Sequence, residues 1–377
     1  MLEHLFGVSI TFGSFVVALS VVVFVHEFGH FIIARRCGVR CESFSIGFGP
    51  ELFGKTDRYG TRWKVSVIPL GGYVRMYGEA EAMQSIEGGA ADVSPADSKP
   101  LSPEDRAASL RYKTVGQRAA IVFAGPAVNF LFAIVVFFVI FMLYGRPIVD
   151  PVVGGVVDNS AAAEAGLHPG DRITAIDGNV ISRFDDIQRL VQLGYGTTMH
   201  LTVHRDDQDL QLTVTPRIVE REDAFGNMQK TPLLGISASG ETRAVQRLGP
   251  TQAMVTAVTQ TYSVVEATWV AVGQMITGRR GTEDLGGPIR IAKYSGQAAK
   301  AGLAGFVFFV AILSINLGLI NLVPVPLLDG GHLLFYAIEA VRGRPLSDRA
   351  QEWGFRIGVA LVGALMVFVT WNDIVQL

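Results

Sequence analysis

The sequence predicts a polytopic α-helical membrane protein with four transmembrane helices, a membrane-associated β-hairpin sheet and one extracytoplasmic α+β module. Three observations lead there. The composition is apolar: 49% of the 377 residues are hydrophobic and 18% charged, and mean hydropathy is +0.36, values from the membrane end of the range. Four apolar runs approach or exceed the roughly 20 residues that a helix needs to cross a bilayer. A stretch of ordinary soluble composition, residues 150–218, alternates short strand patterns with turns. The net charge of −2 gives no basic patch, so no nucleic-acid partner is expected. The two cysteines, Cys37 and Cys41, cannot build a disulfide framework, and with no second pair to complete a metal site they read as reduced thiols.

The first element, in residues 1–42, is a helix over 9–34. It has neither a basic leader nor a small-residue cleavage site, so it reads as a retained span. Arg35, Arg36 and Arg40 at its end mark the cytoplasmic side, which places the N-terminus outside. Residues 43–77 are rich in glycine and β-formers. Trp63 to Val67 alternates as a strand, Pro69 is expected to halt it, and Gly71-Gly72 to bend the chain before Tyr73–Met76. An exposed edge of this hairpin region could pair with an extended peptide. Residues 78–118 are expected to hold a mobile acidic loop, 78–105, and a basic amphipathic helix, 106–118. A second span, within 119–149, contains Gly125-Pro126, a predicted kink, and Asn129, a polar group needing a partner at depth. Residues 219–302 suggest a linker and an amphipathic helix from Glu241 to Thr277 lying against the bundle. Residues 303–377 hold the last two spans, Leu303–Val323 and Gly354–Trp371, which return the C-terminus to the outside. Between them Pro324, Pro326, Gly330 and Gly331 break the helix, which at membrane depth is tolerated only where backbone is buried in protein or lines a cavity.

Inside the first apolar run stands His26-Glu27-Phe28-Gly29-His30. Residues four apart on a helix share a face, so His26 and His30 can present two imidazoles to one metal ion, with Glu27 in reach of a water there. A catalytic zinc takes three protein ligands and keeps one open position. Asp329 is the best-placed third ligand, because both stretches approach the cytoplasmic ends of their helices. His332 is the second choice, with His4 and the loop acids behind it. One Zn2+ per chain would acidify a water and polarise a scissile carbonyl. Glu27 would move the proton, and Asn129 or Asn321 could donate to the oxyanion. A helical substrate must unwind to be cut, and the segment at Pro324–Pro326 and the hairpin with Gly71 and Gly72 are candidate clamps.

The run Ala165-Gly166-Leu167-His168-Pro169-Gly170-Asp171-Arg172-Ile173 resembles a PDZ domain of the bacterial, protease-associated kind. The expected groove for peptide or protein C-termini is lined by Gly154, Gly155 and Val156. The whole chain resembles the site-2 protease family, specifically the bacterial regulator of sigma-E proteases. The motifs that carry the likeness are H-E-F-G-H, P-L-G-G-Y-V-R-M, A-G-P-A-V-N-F and N-L-V-P-V-P-L-L-D-G-G-H, and they stand in the family's order. The resemblance implies zinc on His26, His30 and Asp329, with Glu27 catalytic and Asn321 and the hairpin on the substrate. It also implies intramembrane proteolysis of single-pass membrane proteins, such as an anti-sigma factor already trimmed by another protease, in the bacterial inner membrane. The best-known members carry two tandem PDZ modules, and only one is legible here. The rival reading is a non-enzymatic membrane scaffold presenting a PDZ module beside a degenerate metal site.

Overall fold

The computed structural model describes residues 2–78, 102–222, 228–239, 244–282 and 285–375. Most of the acidic loop therefore lies outside the described residues, as does the side chain of His4. Contacts divide the chain into two units, Met1–Phe137 with Leu285–Leu377, and Phe138–Asp284.

The chain opens on α1, Leu2–Arg36, which ends in two arginines that suit a helix C-terminus. Strands β1, Cys41–Thr56, and β2, Arg62–Met76, follow. Pro69 does not end β2. The strand runs on through it because both strands fold back on themselves at their glycines. Residues 51–56 pair antiparallel with 62–66, and residues 41–46 pair antiparallel with 72–76. Residues 43–46 also run in step with 62–65. Two long strands thus make a four-segment sheet, ordered 51–56, 62–66, 43–46, 72–76. The crossing at its tip is tight: a Cβ on Gly47 would stand 2.6 Å from Ile68 O, and Gly47 has φ +90°, a conformation that favours glycine. One face of the sheet packs on α1. Phe31, Ala34, Phe44, Val74 and Ile121 are buried there, and Phe44 stacks on Trp63 at 4.6 Å. The tip exposes Phe48, Leu52, Phe53, Val67 and Ile68.

The basic helix expected over 106–118 breaks in two. Helix α2, Pro103–Ala108, is capped by Ser102 and carries proline at its start. The extended backbone of Ser109 stops it, and α3, Val115–Tyr144, then runs unbroken through Pro126.

The second unit begins in the last turns of α3. A short ribbon pairs β3, Arg146–Ile148, with β12, Ala244–Gln246. Between them lie β4, Val153–Val156; α4, Ala161–Glu164; β5, Arg172–Ile176; β6, Asn179–Val180; α5, Phe184–Gly194; β7, Met199–Arg205; and β8, Gln208–Val214. Strands β9, Arg217–Glu222, β10, Met228–Leu233, and β11, Ile236–Ala238, complete it. The main sheet has order β6-β5-β7-β8. Its core joins Ile173, Ile176, Leu201 and Val203 to Phe184, Ile187 and Val191 of α5, and it takes in Leu234. The boundary expected at 218 is therefore too early, since β11 closes the module by pairing antiparallel with β4. The helix expected from Glu241 begins at Pro250 instead: α6, Pro250–Ile276, starts where Gly249-Pro250 gives an N-cap and a proline at the first turn. It is tied to α5 by Arg189–Glu266 at 2.8 Å and by Gln274 Nε2 donating to Leu193 O at 2.6 Å.

Back in the first unit, α7, Pro288–Lys300, is a helix with no separate expectation from the sequence. A distant carboxylate fastens its start: buried Asp373 accepts from the N–H groups of Gly287, Ile289 and Arg290 at 2.9–3.1 Å. Helix α7 packs on α1, and a Cβ on its Gly296 would stand 2.9 Å from Thr11 Cα. Helices α8, Leu303–Asn321, α9, Asp329–Arg342, and α10, Asp348–Val375, end the chain. Among the described residues, four helices are long and apolar enough to cross a membrane, over Ser9–Arg36, Val115–Tyr144, Leu303–Asn321 and Arg349–Val375.

Candidate active site

Helix α1 carries His26 and His30 one turn apart, and both are buried. They face the point where α3 crosses α1. The crossing is close because it is made of glycine. A Cβ on Gly29 would strike the Ala124 carbonyl, 2.9 Å from its carbon, and one on Gly125 would stand 2.5 Å from His30 Cε1 and 2.8 Å from His26 Cε1. Asp329 arrives from the other end of the chain. The helix of α8 stops at Asn321, the backbone runs irregularly through 322–328, and α9 begins at Asp329. Gly330 and Gly331 are buried against the carbonyls of Leu322, Val323 and Val325, which leave no room for a side chain.

Three donor atoms converge. His26 Nε2 stands 3.1 Å from Asp329 Oδ2, His30 Nε2 stands 3.4 Å from it, and the two nitrogens are 3.2 Å apart. The proton of His30 is placed by its other nitrogen: Nδ1 lies 2.9 Å from Ile121 O, a group that can only accept. His30 Nε2 therefore turns a lone pair to the centre. Asp329 Oδ2 is buried there and meets no hydrogen-bond donor in good geometry. His30 Nε2 and Asp329 Oδ2 are both acceptors, and at this distance they repel one another unless a proton or a cation lies between them. The spacing fits zinc, because donors about 2.0–2.1 Å from a tetrahedral ion stand roughly 3.3–3.4 Å apart. His26, His30 and Asp329 form one potential metal-binding group among the described residues, and His332, which is exposed, is not part of it.

Glu27 projects beside this group toward the sheet. Val74 N–H donates to its Oε2 at 3.0 Å, and a Cβ on Gly72 would stand 3.7 Å from Glu27 Cγ. The edge formed by residues 72–76 thus borders the carboxylate. Asn321 Nδ2 stands 3.3 Å from His26 Nε2, on the metal side.

Other expected residues fall elsewhere. Asn129 reaches His26 from behind, at Nδ1, 3.1 Å from its Nδ2, so it does not face the carbonyl of a bound peptide as an oxyanion donor must. Gly71, at φ +114°, turns the chain against the Phe48 ring instead of meeting Glu27. Pro326 packs on α10, where a Cβ on Gly354 would stand 3.5 Å from it, and Pro324 is exposed. Gly154, Gly155 and Val156 do not line an open groove, because β11 occupies their edge: Val156 pairs with Ile236 and Gly155 with Ser237. Sequence reasoning missed Gly125, the Ile121 carbonyl and the Val74 N–H. The first stands in A-G-P-A-V-N, where a glycine before proline reads as a kink. Backbone groups leave no mark in a sequence.

Comparison with known proteins bears on the same residues. The family model described as peptidase family M50 matches residues 14–365. A protein of Agrobacterium fabrum, provisionally named a zinc metalloprotease, is 47% identical over 369 residues, covering 96% of this chain and 95% of that protein. The regulator of sigma-E protease RseP of Escherichia coli K12 is 34% identical, covering 97% of this chain and 98% of its own. That alignment runs over 465 positions, so RseP carries residues with no counterpart among the 377 here. Among solved structures, the PDZ domain of an SdrC-like protein from Listeria monocytogenes is 28% identical, covering 23% of this chain and 84% of that one, with a TM-score of 0.19.

Proposed function

The chain belongs to peptidase family M50 and is a zinc metalloprotease; from that premise we propose that it cleaves a peptide bond within or near the transmembrane segment of single-pass membrane proteins. The observation that carries the proposal is the convergence of His26, His30 and Asp329 between helices apolar enough to lie in a bilayer. In this reading those three residues hold the ion. Bound there, zinc supplies a Lewis acid for the scissile carbonyl and an acidified water.

This chain's own groups do the rest. Glu27 takes the proton of the attacking water and later hands it to the leaving amine. The Asn321 amide donates to the carbonyl oxygen as negative charge builds on it. An unwound substrate adds as an extended strand along residues 72–76, which carries its scissile bond past Glu27. The site lies toward the cytoplasmic face of a bacterial inner membrane, with both termini and the β-rich module outside, because Arg35, Arg36 and Arg40 follow the first span. A peptide C-terminus bound by the module would use the edge of β11 turned away from β4, since β4 is taken.

The test is purified protein, wild type against Glu27→Gln, assayed for zinc content and for cleavage of a model transmembrane peptide. Equal zinc with cleavage lost in the variant is expected. Near-wild-type turnover by Glu27→Gln would sink the general-base assignment, and a wild type that takes up no zinc would sink the metal site.

A further inference from the structure

Asn129 is wholly buried in α3, and its partners are unequal. Its Nδ2 stands 3.1 Å from His26 Nδ1, while its Oδ1 is buried with no hydrogen-bond partner. The residue is held firmly: Ser314 Oγ donates to its backbone carbonyl at 3.2 Å, and a Cβ on Gly318 would stand 3.3 Å from its own Cβ. Neutral imidazole carries one proton. If His26 Nε2 turns a lone pair toward Asp329 and His30, the proton sits on Nδ1 and needs an acceptor. The Asn129 amide as it stands offers a donor there. Half a turn about its Cβ–Cγ bond exchanges the two ends and brings Oδ1 to the same point. His30 already has such a partner in Ile121 O; at His26 Nδ1, among the described residues, this side chain takes that place.

We infer that Asn129 is the positioning residue of His26: its Oδ1 accepts the Nδ1 proton when zinc is bound and fixes the tautomer that presents Nε2. The inference rests on the zinc reading above. It gives Asn129 a different task from that of Asn321, since one acts behind the imidazole and the other in front. Metal-binding histidines commonly give their second N–H to a fixed acceptor, and losing that acceptor weakens metal binding by 10- to 100-fold.

The experiment compares full-length wild type, Asn129→Leu and Asn129→Asp by zinc release to a chelator and by the visible spectrum of the cobalt-substituted protein. Aspartate can accept but cannot donate; leucine can do neither. Asn129→Leu should release zinc 10- to 100-fold more readily with an altered cobalt spectrum, and Asn129→Asp should hold it at least as well as wild type. Wild-type retention in Asn129→Leu, or equal loss in Asn129→Asp, would overturn the assignment. Should the leucine variant not fold, the ring nitrogen shifts of His26 in zinc-loaded wild type decide. A protonated Nδ1 is expected, and a metal-bound Nδ1 overturns the inference. A wild type that takes up no zinc overturns the reading beneath it as well.

Discussion

Gly125 has no side chain because two imidazoles fill the space one would need. Gly125→Ala should push both rings from the centre, at a cost of about 1–3 kcal/mol for overpacking. Zinc content should fall several-fold, whereas Gly363→Ala, with nothing within 4 Å of the added carbon, should leave it unchanged. Metal analysis of the two purified variants checks this, and equal zinc in both would remove Gly125 from the site. What could be read from sequence at this scale follows from distance along the chain. His26 and His30 share a helix face by spacing alone, and Asp329 could be placed by depth. The contact of Asn129 with His26 spans 103 residues and depends on how closely α3 crosses α1. Pattern carried the polar character of Asn129 and not the atom it meets.

Elements were legible where their signals are local. The turn from Ala165 to Ile173 is one such case, and the structure adds its fastening. Asp171 is buried and receives Arg205 Nε and Nη2 at 2.6 and 2.7 Å and His168 N–H at 2.8 Å. Burial alone would raise its carboxyl, but the Arg205 bonds, the His168 N–H and the charge of Arg205 together outweigh burial and hold it below the usual carboxylate range. A carboxyl lowered by folding stabilises the fold above its unfolded pKa of about 3.9 and loses that contribution as pH falls through the folded value. Hydrogen exchange of β5 and β7 should therefore show full protection at neutral pH and a loss beginning below about pH 4. Asp171→Asn should be less stable by about 1.5–3 kcal/mol at neutral pH and lack that acid step. An acid step of the same size in the variant would assign it to another group. Pairing over longer distances left no such signal. β11 joins β4 across some eighty residues, and the crossing of β1 with β2 depends on two strands bending together.

On the scale of the whole chain, every residue assigned to catalysis lies in the first unit. Within the second unit, the strands and helices between β3 and β12 are bracketed by one ribbon, in which Ile148 pairs with Ala244. Residues 150–242 can therefore be exchanged for a short glycine-rich turn that joins neighbouring strand ends. Such a variant should keep zinc and hydrolyse a short transmembrane peptide. It should also lose discrimination against substrates with bulky extracytoplasmic domains, read as the ratio of rates on a short and a bulky substrate. A correctly inserted, zinc-loaded variant without activity on the short peptide would make the module structural rather than selective.

The donors are also separated in time. His30 leaves the ribosome roughly 300 residues before Asp329, an interval of about 15–60 s at a synthesis rate of about 5–20 residues per second. Throughout it the chain holds both imidazoles and Glu27 but not the carboxylate proposed as the third metal ligand. On the proposed ligand set, the metal site is complete only with α9, late in translation, so the order of the sequence itself would withhold the hydrolase until the molecule is nearly made.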